Sequence, residues 1–202
     1  MAIFPHRIVF VRHGETAYNA EGRLQGQRDI PLNGKGREQA GAVGRMLRER
    51  LSEEIARLEA VGAFYASPLA RTRQTIELAR AAMGLDPERY HLCSTLMELT
   101  FGDWEGLTWP EVERLDAAGA QAREADKWNF APPRGESYAM LVARVKPWLE
   151  ARQGDCLVAS HGGVARAFMA ILADVPPSVA ATANIWQGRA LVFDKGAFRW
   201  VG

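Results

Sequence analysis

Apolar positions along this chain follow two rhythms, and their alternation sets the expected fold. Ile8-Val9-Phe10-Val11 is an unbroken apolar run that ends in Arg12, His13 and Gly14. A run without polar alternation predicts a strand buried on both faces, as in a parallel sheet. Ala63–Ala66, Tyr90–Ser94 and Cys156–Ser160 read as three further strands. Between them the period lengthens to that of a helix. Ala40, Val43, Met46, Leu47 and Leu51 form the apolar stripe of a helix expected over 34–50. Ser52, as a second N-cap, would carry the chain helically to about Glu59. Ser67-Pro68, a cap followed by proline at the first position, predicts a helix that runs to Met83 and stops at Gly84. Ser137 is expected to cap a helix reaching Glu150, and another should follow Ser160-His161-Gly162-Gly163 through Ile171. Ile185–Phe193 and Phe198–Val201, joined across Lys195-Gly196, read as a closing hairpin.

Two segments interrupt the rhythm. Residues 12–33 form a long loop rich in polar donors, and loops of that length inside a compact domain usually carry function. Residues 95–136 mix turns with two short helices, expected at 108–116 and 118–127, and make a cap-like insertion over about 98–136. The strand–loop–helix alternation predicts an α/β fold with a largely parallel sheet, in one domain spanning 1–202.

Composition narrows the function classes. The net charge is +1, so no global field marks the chain for nucleic acid or a membrane surface. No apolar run approaches transmembrane length, and no charged-then-apolar leader pattern opens the chain; a cytoplasmic location is the expectation. Cys93 and Cys156 lie in apolar runs and read as buried free thiols.

The candidate chemistry lies at strand ends. A single histidine after a strand reads most simply as a hydrogen-bonded turn residue. Here, however, two strands end in His-Gly, at His13-Gly14 and His161-Gly162, and a third ends at Ser67-Pro68 with Arg71 close behind. In a parallel sheet those ends share one edge, where ligands bind. Two imidazoles, Arg12, Arg71 and the N-termini of helices would converge there, and such a set suits a phosphoryl group.

With these blocks in view the chain resembles the histidine phosphatase superfamily, the fold shared by cofactor-dependent phosphoglycerate mutases and many small phosphatases. Arg12-His13-Gly14-Glu15-Thr16 with Asn19 resembles the family's opening motif, and Gly22-Arg23-Leu24-Gln25-Gly26 the next block. Ser67-Pro68-Leu69-Ala70-Arg71-Thr72, Glu98 with Phe101-Gly102-Asp103-Trp104-Glu105-Gly106, Gly135-Glu136-Ser137 and Ser160-His161-Gly162-Gly163 complete the set. The resemblance implies a three-layer α/β/α domain with a small helical cap. It implies that His13 is the nucleophile, that Arg12, Arg71 and a cationic His161 hold the phosphoryl oxygens, and that Glu98 is the general acid and base. Asn19, Gln25, Gly26, Gly162, Thr16 and Trp104 would join the phosphate- or substrate-binding set. Trp104, Trp109, Trp128 and Phe130 read equally well as cap core or as a substrate platform.

The same resemblance implies no metal and no cofactor, a small phosphate monoester as substrate and inorganic phosphate as product; a homodimer stays open. Two activities compete, phosphatase and phosphoglycerate mutase, and a non-catalytic phosphate-binding module is a lesser alternative. Residues 98–136 hold nine Asp or Glu against four Arg or Lys, and Leu99-Thr100-Phe101 follows Glu98 where mutases carry a basic, tyrosine-containing stretch. These features favour a phosphatase, of broad specificity or α-ribazole phosphatase-like, acting on a monoester with an uncharged or apolar leaving group.

Overall fold

The structure, a computed structural model, describes residues 4–202; residues 1–3 of the domain expected over 1–202 lie outside the described residues. Six strands form one sheet: β1 (Ile8–Arg12), β2 (Phe64–Ala66), β3 (His91–Leu92), β4 (Cys156–Ser160), β5 (Ala190–Asp194) and β6 (Ala197–Val201), in the order β3-β2-β4-β1-β5-β6. β3, β2, β4 and β1 pair in parallel, and the β5–β6 hairpin adds antiparallel to β1. The central strands are β-branched and aromatic, and Ile8, Val9, Phe64, Val158 and Leu191 have no measurable exposure. Burial on both faces is what their unbroken apolar runs require.

Helices cover both faces. α1 (Ala17–Ala20) is a single turn inside the long loop, closed by a capping box between Thr16 and Asn19. α2 (Gly34–Arg50) is capped by Asn33 and packs along α4 (Ala70–Met83), with α3 (Ser52–Ala60) between α2 and β2 in sequence. α5 (Trp109–Leu115) and α6 (Ala117–Ala125) build the cap; α7 (Tyr138–Glu150), α8 (Gly162–Leu172) and α9 (Pro177–Ala180) follow. The cap has its own small apolar cluster of Leu24, Trp104 and Val112, separate from the main core. No helix among the described residues is long and apolar enough to cross a membrane.

Several local expectations change. α4 does not start at Ser67-Pro68; its first residue is Ala70, Leu69 stands at the cap position without a side-chain bond, and Asp29 Oδ1 accepts from the Ala70 amide at 2.6 Å. The long loop supplies the cap, which frees Ser67 for another partner. Leu51, not Ser52, precedes the first residue of α3. The third strand contracts to the exposed pair His91–Leu92, and Cys93 is half-buried, whereas Cys156 is buried. The closing hairpin begins at Ala190 rather than Ile185.

Parallel register fixes where the chemistry lies. Arg12 pairs with Ser160, and Ala66 with Ala159. Beyond the last pairs, the His13 amide donates to the Ser160 carbonyl at 2.9 Å and the Ser67 amide to the Ala159 carbonyl at 3.1 Å. His13, Ser67 and His161 thus stand side by side, one step past the carboxyl ends of three adjacent strands.

Candidate active site

A cleft of about 370 Å³ opens at this edge, between the strand ends and the cap. Arg12, His13, Arg71 and Glu98 line it, as do Asn19, Gln25, Gly26 and Gly162. The sheet, the long loop, α4, the acid segment and α8 therefore each deliver a part of it.

His13 is 3 % exposed, and its Nδ1 lies 2.7 Å from the carbonyl oxygen of Gly14. A carbonyl only accepts, so Nδ1 carries the proton and Nε2 holds the lone pair of the neutral ring. Burial first, and then the charges of Arg71 and Arg12, push His13 well below the ordinary histidine range. A neutral imidazole with a free Nε2 is the form that can attack an electrophile.

The guanidiniums are aimed by backbone carbonyls. Arg71, with no exposure, donates from Nη1 to the Arg28 carbonyl and from Nη2 to the Gly26 carbonyl, both at 2.7 Å. Gly26 adopts φ +52°, and the space a Cβ there would fill is taken by Glu105 Oε1, so glycine is required on both counts. Arg12 donates from Nη1 to the Ile185 carbonyl at 2.7 Å. Arg12 Nε, Arg71 Nε and His161 Nδ1 are buried side-chain nitrogens without a protein partner. Orphaned polar atoms are uncommon in folded proteins, and a cluster of them calls for a functional explanation. Burial draws Arg71 down to about 10, against the favourable charge of Glu98, and it stays cationic at neutral pH.

The resemblance implies a cationic His161; the surroundings of the ring oppose that charge. His161 is fully buried beside His13, with ring centroids 5.3 Å apart. Burial, then Arg71, His13 and Arg12, push it well below the ordinary range, which leaves it neutral. Its Nε2 lies 2.8 Å from Ser67 Oγ.

Glu98 lies over the N-terminus of α8, where Gly163 N–H donates to its Oε2 at 3.0 Å; the Leu99 amide donates to Oε1 at 3.0 Å. The segment carrying it is pinned from behind, since Gln27 Nε2 donates to the Glu98 carbonyl at 3.0 Å. Glu105 Oε1 accepts from Thr100 Oγ1 and from the Gln27 amide, tying the acid segment to the loop that holds Arg71.

Thr16 and Trp104 have different places from those expected. Thr16 is fully buried and donates from Oγ1 to Gln25 Oε1 at 2.8 Å, so it orders the loop behind Asn19 and Gln25 rather than lining the cleft. Trp104 is 2 % exposed, stacks on Phe130 and donates from Nε1 to Asp116; it is cap core. Trp109 and Phe101 do reach the cleft wall.

The largest departure concerns charge. The acidic excess of the cap does not face the cleft: Asp116 caps α6, Glu111 completes the Thr108 capping box and meets Arg23, Asp103 pairs with Arg134 and Glu136 with Arg144. Of the charged residues in 98–136, Glu98, Arg123 and Lys127 line the cleft, and Arg23 and Arg166 join them from outside the cap. Burial lowers Arg123, and burial with the neighbouring Arg123 lowers Lys127, so these cations are held against their preference for water. Tyr138 Oη lies 3.3 Å from Arg166 Nη1, which donates to it. Arg123, Lys127 and Arg166 are not among the residues expected from the sequence; the four-residue spacing of Arg123 and Lys127 would place both on one face of the helix expected over 118–127, but α6 ends at Ala125 and Lys127 lies in the turn beyond it.

Known proteins resemble this chain in sequence and fold. Residues 8–193 match the family described as the histidine phosphatase superfamily, branch 1. A 6-phosphofructo-2-kinase/fructose-2,6-bisphosphatase from Caenorhabditis elegans is 34 % identical over 179 residues, covering 87 % of this chain and 36 % of the relative, so the chain spans about a third of that protein's length. A glucosyl-3-phosphoglycerate phosphatase from Mycobacterium tuberculosis is 32 % identical over 183 residues, covering 84 % of this chain and 76 % of the relative. Among solved structures, the α-ribazole phosphatase from Shigella flexneri superposes with a TM-score of 0.75 at 26 % identity, covering 93 % of this chain and 90 % of that one.

Proposed function

Because this chain belongs to the histidine phosphatase superfamily, we propose that it is a phosphomonoesterase that works through a phosphohistidine on His13. In the first step His13 Nε2 attacks phosphorus in line with the ester oxygen. The P–N bond forms as the P–O bond breaks, and Glu98 in its acid form gives its proton to the departing oxygen. In the second step the Glu98 carboxylate takes a proton from water, the oxygen of that water attacks phosphorus, and the P–N bond returns its electron pair to His13. Arg12, Arg71 and His161 hold the three equatorial oxygens in both steps, and Asn19, Gln25, Gly26 and Gly162 border them. Charge stabilisation by fixed donors is the main contribution a protein makes to this transfer.

The observation that carries this reading is the set of buried nitrogens around His13: an Nδ1 committed to Gly14, and Arg12 Nε, Arg71 Nε and His161 Nδ1 without protein partners. The substrate class follows from the other half of the cleft. Arg123, Lys127 and Arg166 favour a leaving group that carries a second anionic group, a carboxylate or another phosphate, in place of the uncharged one the cap's composition suggested. Two relatives are named for such substrates, a fructose bisphosphate and a glucosyl phosphoglycerate.

The test is a panel of phosphomonoesters, assayed for free phosphate with chelator present. It sets anionic leaving groups against neutral alcohols and includes 3-phosphoglycerate with its bisphosphate cofactor. Phosphate release that favours the anionic leaving groups, with negligible mutase flux, supports the reading. Mutase flux without phosphate release overturns the phosphatase assignment, and a preference for neutral leaving groups overturns the substrate class.

A further inference from the structure

Ser67 is a buried group that neither helix capping nor the mechanism above employs. It has no exposure, and α4 starts three residues beyond it. Its backbone is fixed on both sides: the amide donates to the Ala159 carbonyl at 3.1 Å, and the carbonyl accepts from Thr72 Oγ1 at 2.9 Å. This clamps the hydroxyl 2.8 Å from His161 Nε2. The Leu69 amide donates to the same hydroxyl oxygen at 3.4 Å.

A hydroxyl has one proton to give and two lone pairs to offer. Among the hydrogen bonds of the described residues, His161 Nε2 is the one acceptor within reach of the Ser67 proton. If Nε2 carried a hydrogen, Ser67 Oγ would accept it and the hydroxyl proton, turned away, would have no acceptor among the hydrogen bonds of the described residues. With Nε2 accepting, the Ser67 proton has its acceptor, and the ring proton resides on Nδ1. That Nδ1 is the buried nitrogen without a protein partner. We propose that Ser67 is a positioning residue that donates to His161 Nε2, holds the ring proton on Nδ1, and so lets a neutral His161 present an N–H donor to the transferring phosphoryl group. Which nitrogen of a histidine carries the proton is generally set by the bond the other nitrogen makes. Here the setting is read from one hydroxyl, held in place by the ends of β2 and β4.

The kinetic consequence rests on the phosphatase reading; the tautomer itself is read without substrate. Nitrogen NMR of the imidazole-labelled wild-type protein at neutral pH is expected to show His161 with a protonated Nδ1 and an unprotonated Nε2. Ser67→Ala should shift that signal toward a tautomer mixture and lower kcat about tenfold, part of the loss that follows removal of a transition-state donor, with KM within about twofold. An Nε2-protonated His161 in the wild type overturns the proposal, even if the variant fails to fold. So does a Ser67→Ala protein that keeps the Nδ1-protonated form, whether or not its kcat falls, since a fall alone would then be structural. A wild-type protein that hydrolyses no monoester defeats the phosphatase reading and leaves the tautomer result standing.

Discussion

The Glu98 carboxyl occupies the space that a side chain on residue 163 would need. The Gly163 amide donates to Glu98 Oε2 at 3.0 Å, and a Cβ on residue 163 would lie 2.3 Å from Glu98 Oε1. The Glu98 carboxyl therefore sits on the first turn of α8, held by a backbone N–H that the helix leaves free. Loss of its acid role should show in leaving-group dependence. Glu98→Gln is expected to lower kcat about 10²- to 10⁴-fold on an alkyl phosphate and far less on 4-nitrophenyl phosphate, whose leaving group needs no proton. Gly163→Ala, which displaces the carboxylate, should follow the same pattern more weakly. Equal losses on both substrates would remove Glu98 as the acid.

The two histidines set the pH response. Burial and the arginines push both well below the ordinary value of 6.5, so each stays neutral in the folded protein while the unfolded chain protonates in the usual range. Their contribution to stability is complete above about pH 6.5 and declines as the pH falls below it, because the unfolded state then binds more protons. The same shift keeps His13 nucleophilic in mild acid. The acid limb of kcat/KM assigned to His13 is expected below 6.5; a limb at or above that value would contradict the electrostatics of the cleft.

Arg123 and Lys127 should act on binding rather than on the phosphoryl transfer itself. Arg123→Ala or Lys127→Ala is expected to raise KM about tenfold for a substrate whose leaving group bears a carboxylate or phosphate, the scale of one charge-assisted hydrogen bond at about 1.5–3 kcal/mol. On 4-nitrophenyl phosphate the change should stay within about twofold. Steady-state kinetics on the two substrates decides the point.

Packing between α2 and α4 depends on one missing methyl. A Cβ at Gly44 would lie 2.3 Å from the Ala79 carbonyl oxygen, a backbone atom that cannot move without shifting a helix. Gly44→Ala should therefore destabilise the fold by about 1–3 kcal/mol, despite alanine's better helix propensity, and a urea titration would show the midpoint fall. An unchanged or raised midpoint would contradict the close helix contact.

Strand positions and the residues that gather at the strand-end edge were legible in the sequence because unbroken apolar runs and short ordered blocks carry them. His13, Arg71, Glu98 and His161 fall on strand ends or helix starts, and a parallel sheet must bring such points to one edge. What could not be read was direction. A count of cap charges gave an acidic surface, yet the acids are used as caps and internal pairs while Arg123 and Lys127 face inward. Trp104 gave no sign of its partners Phe130 and Asp116, which fix it in the cap core. Ser67 followed by proline imitates a helix cap, and its actual partner, His161, lies 94 positions away. The charge state of His161 depends on burial among Arg71, His13 and Arg12, which no local pattern encodes.

The central claim is that phosphate passes through His13. Rapid acid-free quenching of the enzyme with radiolabelled phosphomonoester, followed by denaturation and peptide mapping, tests it most directly. The expected result is a label that is stable to alkali, labile to acid, located on the peptide containing His13, and absent in His13→Asn, which should also lack turnover. Sustained turnover by His13→Asn, or a label on any other residue, would contradict the account.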